Sequence, residues 1–204
     1  PMTITMHKSD LPDRLDFGAA VAVDSETMGL RAARDRLCVV QLSAGDDTAH
    51  LVQLSEDDYT APNLKALMLD PGITKIFHYA RFDVAVIQAY LGVMTRSIYC
   101  TKIASKLVRT YTDRHGLKDL CRELLGVDLS KQQQSSDWGA ETLSEEQLRY
   151  AASDVLHLHA IRDILDMRLA REGRTALAQA CFEFLPTRAQ LDLISYGDED
   201  IFSH

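Results

Sequence analysis

The run A-A-V-A-V-D at 19–24, bounded by Gly18 and closed by the triplet D-S-E, constrains this chain more than any other feature. So apolar a segment suits a buried central strand. It ends in two carboxylates, Asp24 and Glu26, and the period-2 alternation of a strand turns both side chains to one face. Burying unpaired charge is costly, so other groups must converge on that face. The competing reading is a solvated turn, the ordinary fate of a D-x-E in a chain with 30 acidic residues.

Around that strand the organisation is readable. L-C-V-V-Q-L-S at 37–43 and A-H-L-V-Q-L at 49–54 follow after short polar connections containing Gly29 and Gly45, which predicts a three-stranded antiparallel meander. From Pro62 onward helical segments alternate with short strand candidates at 74–79 and 96–99, the signature of a mixed sheet covered by helices. Helix signals dominate after Thr101: residues 103–109, then 116–125 closed by Gly126, then one long segment from Ser144 to about Arg171. Ser144 and Gln147 form a capping box, and Leu143 and Leu148 occupy the positions of a hydrophobic staple. Tyr150 and Asp154 then stand one turn apart on one helix face.

With 204 residues and 46% hydrophobic content the chain can bury one core, so a single domain over 1–204 is expected. The stretch 184–204 has apolar and aromatic residues but little room for a core of its own. It is expected to pack on this subunit or a neighbour, with Phe184, Leu185, Leu191, Leu193, Ile194 and Phe202 as interface candidates. No apolar run approaches a membrane span and the first residues lack a secretion signal, so a soluble cytoplasmic protein is expected. Pro1 ahead of Met2 reads as a residue left by processing. The four cysteines lie far apart without a C-x-x-C, which suits reduced, buried thiols.

A net charge of -8 argues against coating long nucleic acid by electrostatics alone, so any such recognition must be local. Between Arg96 and Lys131 the balance reverses, with eight basic residues against four acidic ones. Lys102, Lys106 and Arg109 share a helical face there, and they either contact phosphate or form an ordinary solvated face.

Two further motifs complete a constellation with Asp24 and Glu26. H-Y-A-R-F-D at 78–83 supplies Asp83, and Y-A-A-S-D at 150–154 supplies Tyr150 and Asp154. Singly, Asp83 could be an early-helix acid complementing the macrodipole and Tyr150 a core residue. Jointly, four carboxylates suit two divalent cations, Mg²⁺ or Mn²⁺, about 3.5–4 Å apart in a phosphodiester hydrolase. Tyr150 would hold the attacking water.

At these residues the chain resembles the DEDD 3′-to-5′ exonucleases, whose motifs are D-x-E, a later Asp, and Y-x-x-x-D or H-x-x-x-x-D. The third motif here is Y-x-x-x-D, and Arg149 stands where the histidine variant would place its base. The likeness is therefore to the tyrosine branch that includes ribonuclease D, reinforced by G-L-K-D-L, S-D-W at 136–138 and L-S-E-E-Q-L. It implies an α/β, ribonuclease H-like (DnaQ-like) exonuclease fold, with a mixed five- to six-stranded sheet flanked by helices. The compact length, R-D-R-L-C-V-V-Q-L, C-T-K-I-A-S-K-L and F-L-P-T-R-A-Q-L-D-L look like the nano-RNase C family. That resemblance implies cleavage of very short RNA, especially dinucleotides such as pGpG, to nucleoside monophosphates. It also implies a ring-shaped homo-octamer and, for some members, action on DNA.

Substrate contacts follow as expectations. Leu30 either wedges between two bases, as the resemblance suggests, or anchors its loop. His78 and Tyr79 are placed to stack on a base, with core packing the alternative for Tyr79. Thr27, Lys102, Arg109 and Arg114 complete the set, and Trp138 is expected to anchor the loop ahead of the long helix. Competing functions are a ribonuclease D-like trimmer of longer RNA, a DNA exonuclease, and a binding module without catalysis, which the intact acids and Tyr150 oppose. A proofreading domain cut from a polymerase has no supporting sequence.

Overall fold

All seven residues of β3 (Leu37–Ser43) are buried, so the strand must be covered on both faces and both edges. The computed structural model describes residues 2–130 and 132–204; Pro1 and Lys131, the last of the basic residues counted above, lie outside the described residues. β3 sits inside a six-stranded sheet of order β1-β4-β3-β2-β5-β6. The other strands are β1 (Thr3–Lys8), β2 (Ala20–Thr27), β4 (Thr48–Gln53), β5 (Thr74–Phe77) and β6 (Ile98–Cys100). β3 runs antiparallel to β2 and β4, as the meander predicts, and the pairs β1–β4, β2–β5 and β5–β6 are parallel. β1 was not anticipated: it is a part-buried edge strand, T-I-T-M-H-K, without the apolar run that marks the inner strands.

Helices α1 (Pro62–Leu69), α2 (Ala80–Leu91) and α3 (Thr101–Val108) follow strands, as the alternating pattern requires. α4 (Leu117–Leu120) continues into a π-helical turn, Cys121–Leu125, that ends at Gly126. The segment expected as one long helix is two, α5 (Glu145–Leu156) and α6 (Leu158–Arg171), separated at His157. The break has a packing cause. α5 lies against β2, β3 and β4, whereas α6 lies against α3 and β5, and a straight helix could not serve both surfaces.

The last stretch is mostly helical. α7 (Thr175–Leu193) runs through Pro186 and buries Ala178, Phe182, Leu185 and Ala189, spaced four, three and four, on one face. It packs on α2 of the same chain, where Arg81 makes a bidentate pair with Asp192 at 2.8 Å. Leu185 therefore belongs to this subunit's core, while Ile194 and Phe202 are exposed. None of the described helices is long and apolar enough to cross a membrane.

The start of α5 is fastened as its sequence predicts. Ser144 Oγ accepts from the Gln147 amide at 3.1 Å, and Gln147 Oε1 accepts from the Ser144 amide at 2.9 Å. Gln147 Nε2 also donates to Ser136 Oγ and the Asp137 carbonyl, both at 3.0 Å, tying the preceding loop to the helix. Replacing Ser144 with Ala is expected to cost about 1 kcal/mol, read as a lower urea midpoint. An unchanged midpoint would mean that Gln147's loop contacts alone hold the helix start.

Candidate active site

Three segments deliver the acids. Asp24 and Glu26 stand at the end of β2, where the ladder with β3 slips at a bulge between Glu26 and Thr27. Asp83 comes from the first turn of α2, where the helix dipole favours an acid. Tyr150 and Asp154 come from α5, which lies across β2 and β3. Asp24, Glu26 and Asp154 each offer an oxygen within 4.8 Å of the others. Asp83 closes the set from the side: its Oδ1 accepts from Ser25 Oγ at 2.5 Å, and it shares a hydrogen bond with Asp24.

A glutamine on the neighbouring strand bridges the pair. Gln41 is the ladder partner of Asp24, and its Nε2 donates to Glu26 Oε1 at 3.1 Å and to Asp24 Oδ2 at 3.4 Å. Neither Gln41 nor Ser25 was singled out from sequence. The signal was there: a glutamine in the otherwise apolar run L-C-V-V-Q-L faces a strand that ends in acids.

Crowding shifts the protonation of the whole group. Burial pushes the Asp24 carboxyl up to about 6, against hydrogen bonds from the Ser25 backbone, Asp154 and Asp83. Glu26 is pushed up to about 10 by burial and then by the charges of Asp24 and Asp154, with the Gln41 bond opposing. Asp83 is raised by burial and by Asp24. Burial, followed by the charges of Asp154, Glu26 and Asp24, raises the Tyr150 phenol, so its hydroxyl keeps its proton. Among the described residues no lysine or arginine makes an ion pair with Asp24, Glu26 or Asp83. Converging carboxylate oxygens fit hard divalent cations.

The other candidates divide. Leu30 is 92% exposed at the tip of the loop after β2. That loop is held by Asp35, which accepts from the Arg31 amide at 3.0 Å and from Arg34 Nε at 2.9 Å. Gly29 leaves room for that carboxylate, since a Cβ there would fall 2.4 Å from Asp35 Oδ2 and displace it. Thr27 Oγ1 donates to the Gly29 carbonyl and so braces the same loop. Tyr79 is exposed, not core, in the left-handed region at φ 69°, with Lys102 Nζ 4.7 Å from its ring centre. His78 Nδ1 bonds Thr101 Oγ1 at 2.8 Å. Tyr79 and Lys102 open onto a groove of about 460 Å³ between α3 and α7, floored by Ile103, Cys181, Phe184 and Leu185. Trp138 is buried, its ring centre 5.9 Å from that of Tyr150, so it anchors the loop and backs the site. Arg114 is exposed, with a long 3.9 Å pair to Asp119.

Arg109 requires a correction. Only 2% exposed, it cannot reach a substrate phosphate from where it sits. Its guanidinium pairs with Glu123 at 2.8 Å and donates to Ser105 Oγ at 2.9 Å and the Arg114 carbonyl at 2.6 Å. It is a cross-brace under the 110–116 loop. The four cysteines are free, three of them buried, as expected.

A recessed cluster of acids with a tyrosine on the adjoining helix, carried at the end of a central strand of a mixed sheet, defines a site of the polynucleotide-hydrolase class. Residues 6–170 match the family described as 3′-5′ exonuclease, and the chain belongs to that family. It is 34% identical over 173 residues to the ribonuclease D of Gluconacetobacter diazotrophicus, a match covering 85% of this chain and 44% of that protein. It thus spans less than half the length of that relative. Two solved structures match from end to end, covering 100% of both chains at 56% identity. One is Brucella melitensis NrnC bound to pGG, with a TM-score of 0.97, and the other is the same protein with bound Mg²⁺, with a TM-score of 0.95. The fold is accordingly the ribonuclease H-like exonuclease fold.

The raised acids make stability depend on pH in a defined direction. An acid whose pKa is higher folded than unfolded keeps its full contribution below the unfolded value, near 3.8 for Asp24 and 4.5 for Glu26. That contribution is lost as pH rises through about 6 for Asp24 and toward about 10 for Glu26. In EDTA, the protein should therefore lose stability relative to Glu26→Gln as pH rises, measured by urea denaturation across that window. Parallel curves for the two proteins would contradict this account of the cluster.

Proposed function

We propose that this chain is a two-metal-dependent 3′-5′ exoribonuclease that degrades short RNA, dinucleotides above all, to nucleoside 5′-monophosphates. The observation that carries the reading is the convergence of Asp24, Glu26 and Asp154 within 4.8 Å. The full-length likeness to a protein solved with pGG and with Mg²⁺ supports the substrate and the cation. Asp24, Glu26, Asp83 and Asp154 are the ligands for two Mg²⁺ or Mn²⁺ ions. When bound, such ions lower the pKa of the attacking water and neutralise charge growing on the phosphate and the leaving oxygen.

The remaining work falls to the chain's own side chains. The Tyr150 hydroxyl, kept protonated by burial and then by its acidic neighbours, orients the water in line with the scissile phosphate. Leu30, exposed on its braced loop, wedges between the two bases. Tyr79 offers an aromatic face with a cation beside it, suited to a base and its phosphate, and His78, Lys102, Thr27 and Arg114 line the approach. A dinucleotide releases few counterions, so its affinity must come from such fitted contacts rather than from net charge. The reading extends to a cytoplasmic single-domain enzyme that assembles as a ring-shaped homo-octamer. Ile194, Ile201 and Phe202, exposed after α7, are among the apolar groups it offers a neighbour.

The test is hydrolysis of 5′-phosphorylated RNAs from two to twenty nucleotides with Mg²⁺ or Mn²⁺, against an EDTA control. Cleavage is expected to be fastest on the dinucleotide and to fall steeply with length. Stepwise trimming of long RNA that leaves the dinucleotide would assign a ribonuclease D-like role instead, and preference for a DNA end a DNA exonuclease. Asp24→Ala and Asp83→Ala should abolish turnover in folded protein. Tyr150→Phe should lower kcat about 10²–10⁴-fold with little change in KM. Equal rates for that variant and the parent would make Tyr150 structural. Light scattering reads the assembly directly, and a monomer would refute the octamer.

A further inference from the structure

Gln41 is fully buried in the middle of β3, between Val40 and Leu42, a position where an aliphatic side chain would be the ordinary choice. Its carbonyl Oε1 is buried with no hydrogen-bond partner among the described residues. Stability alone does not favour such a residue, and a buried polar atom left unpaired calls for an explanation. The amide end supplies it. Nε2 bridges two carboxylates, Glu26 at 3.1 Å and Asp24 at 3.4 Å. Among the described residues the carboxamide is thus oriented by the two acids.

We infer that Gln41 is a positioning residue for the metal centre, holding the carboxylates of Asp24 and Glu26 in one geometry so that their remaining oxygens face the cations. The inference rests on the metal-dependent reading above and assigns to β3 a part in it. The choice of side chain is chemically specific. A carboxamide NH₂ donates to two anions at once and favours their ionised state without bringing a positive charge. A lysine or arginine at the same place would neutralise the acids and compete with the cations they are to hold. The antiparallel register sets the reach, since Gln41 lies directly opposite Asp24 and both side chains leave the sheet on the same face. Outer contacts of this type fix the orientation of metal-ligating carboxylates.

The test replaces Gln41 with Met, which keeps its length and unbranched shape but has no donor. Mn²⁺ is titrated calorimetrically into the full chain without nucleic acid. The expected result is about a 10–100-fold weaker affinity, with thermal melting in EDTA unchanged or raised because the unpaired carbonyl is gone. The Mn²⁺ concentration giving half-maximal hydrolysis should rise by the same factor. Gln41→Leu, a second donor-free aliphatic, should behave alike and serves if the Met variant does not fold. Parent-like Mn²⁺ affinity in a folded donor-free variant overturns the inference and leaves the metal centre standing. If the parent binds no Mn²⁺, or Asp24→Ala binds it as well as the parent, the metal reading fails, and this inference with it.

Discussion

Mutual repulsion among carboxylates brought together in a recessed site is the constraint on which the rest of this structure turns. Like charges at such separations cannot all ionise without a compensating charge: burial raises Asp24, Glu26 and Asp83, and the charges of neighbouring acids add to the rise of Glu26 and Asp83. Among the described residues, Asp83 receives the Ser25 hydroxyl and Asp24 and Glu26 receive the Gln41 amide, both neutral donors. That choice leaves the negative potential in place. A site assembled this way is stable when protons or cations occupy it, and it favours cations of high charge and oxygen affinity.

Holding the acids together despite their repulsion explains several features of the scaffold. β2 is locked between β3 and β5, one antiparallel and one parallel neighbour, so the strand carrying Asp24 and Glu26 has no free edge. α2 begins immediately after the left-handed turn at Tyr79, which places Asp83 in its first turn. α5 is fixed at its start by a capping box and bends away at His157, so that Tyr150 and Asp154 fall on the one helix that crosses β2 and β3. The break at His157 then frees α6 to bury Leu158, Ile161, Leu165 and Leu169 elsewhere.

What the sequence made legible follows the strength of local signals. The apolar runs of β2, β3 and β4, the capping box and the short β5 and β6 were readable because burial leaves uninterrupted hydrophobic residues and caps leave fixed spacings. The edge strand β1 was not, since half-buried threonines and a histidine carry no comparable pattern. The five residues of the three motifs are drawn together by the fold, but the support of Gln41 depends on register between strands and that of Ser25 on the packing of α2 against β2. Arg109 failed for the complementary reason. Helical spacing groups it with Lys102 and Lys106, yet it falls just past the end of α3, where the backbone leaves helical geometry and turns the guanidinium inward to Glu123.

That inward turn alters how the basic segment is to be understood. Arg109 braces the 110–116 loop from below, by the Arg114 carbonyl and by Ser105, so its charge is consumed in shaping the loop. Among the described residues of that segment, exposed positive charge is then left to Arg96, Lys106, Arg114 and Arg122, with Lys102 set beside Tyr79. A few exposed cations on a chain of net charge -8 do not make a track for a long polyanion. They leave positive charge local in a chain that is acidic overall. Such a field favours a phosphate group held at one place over a backbone followed along a surface.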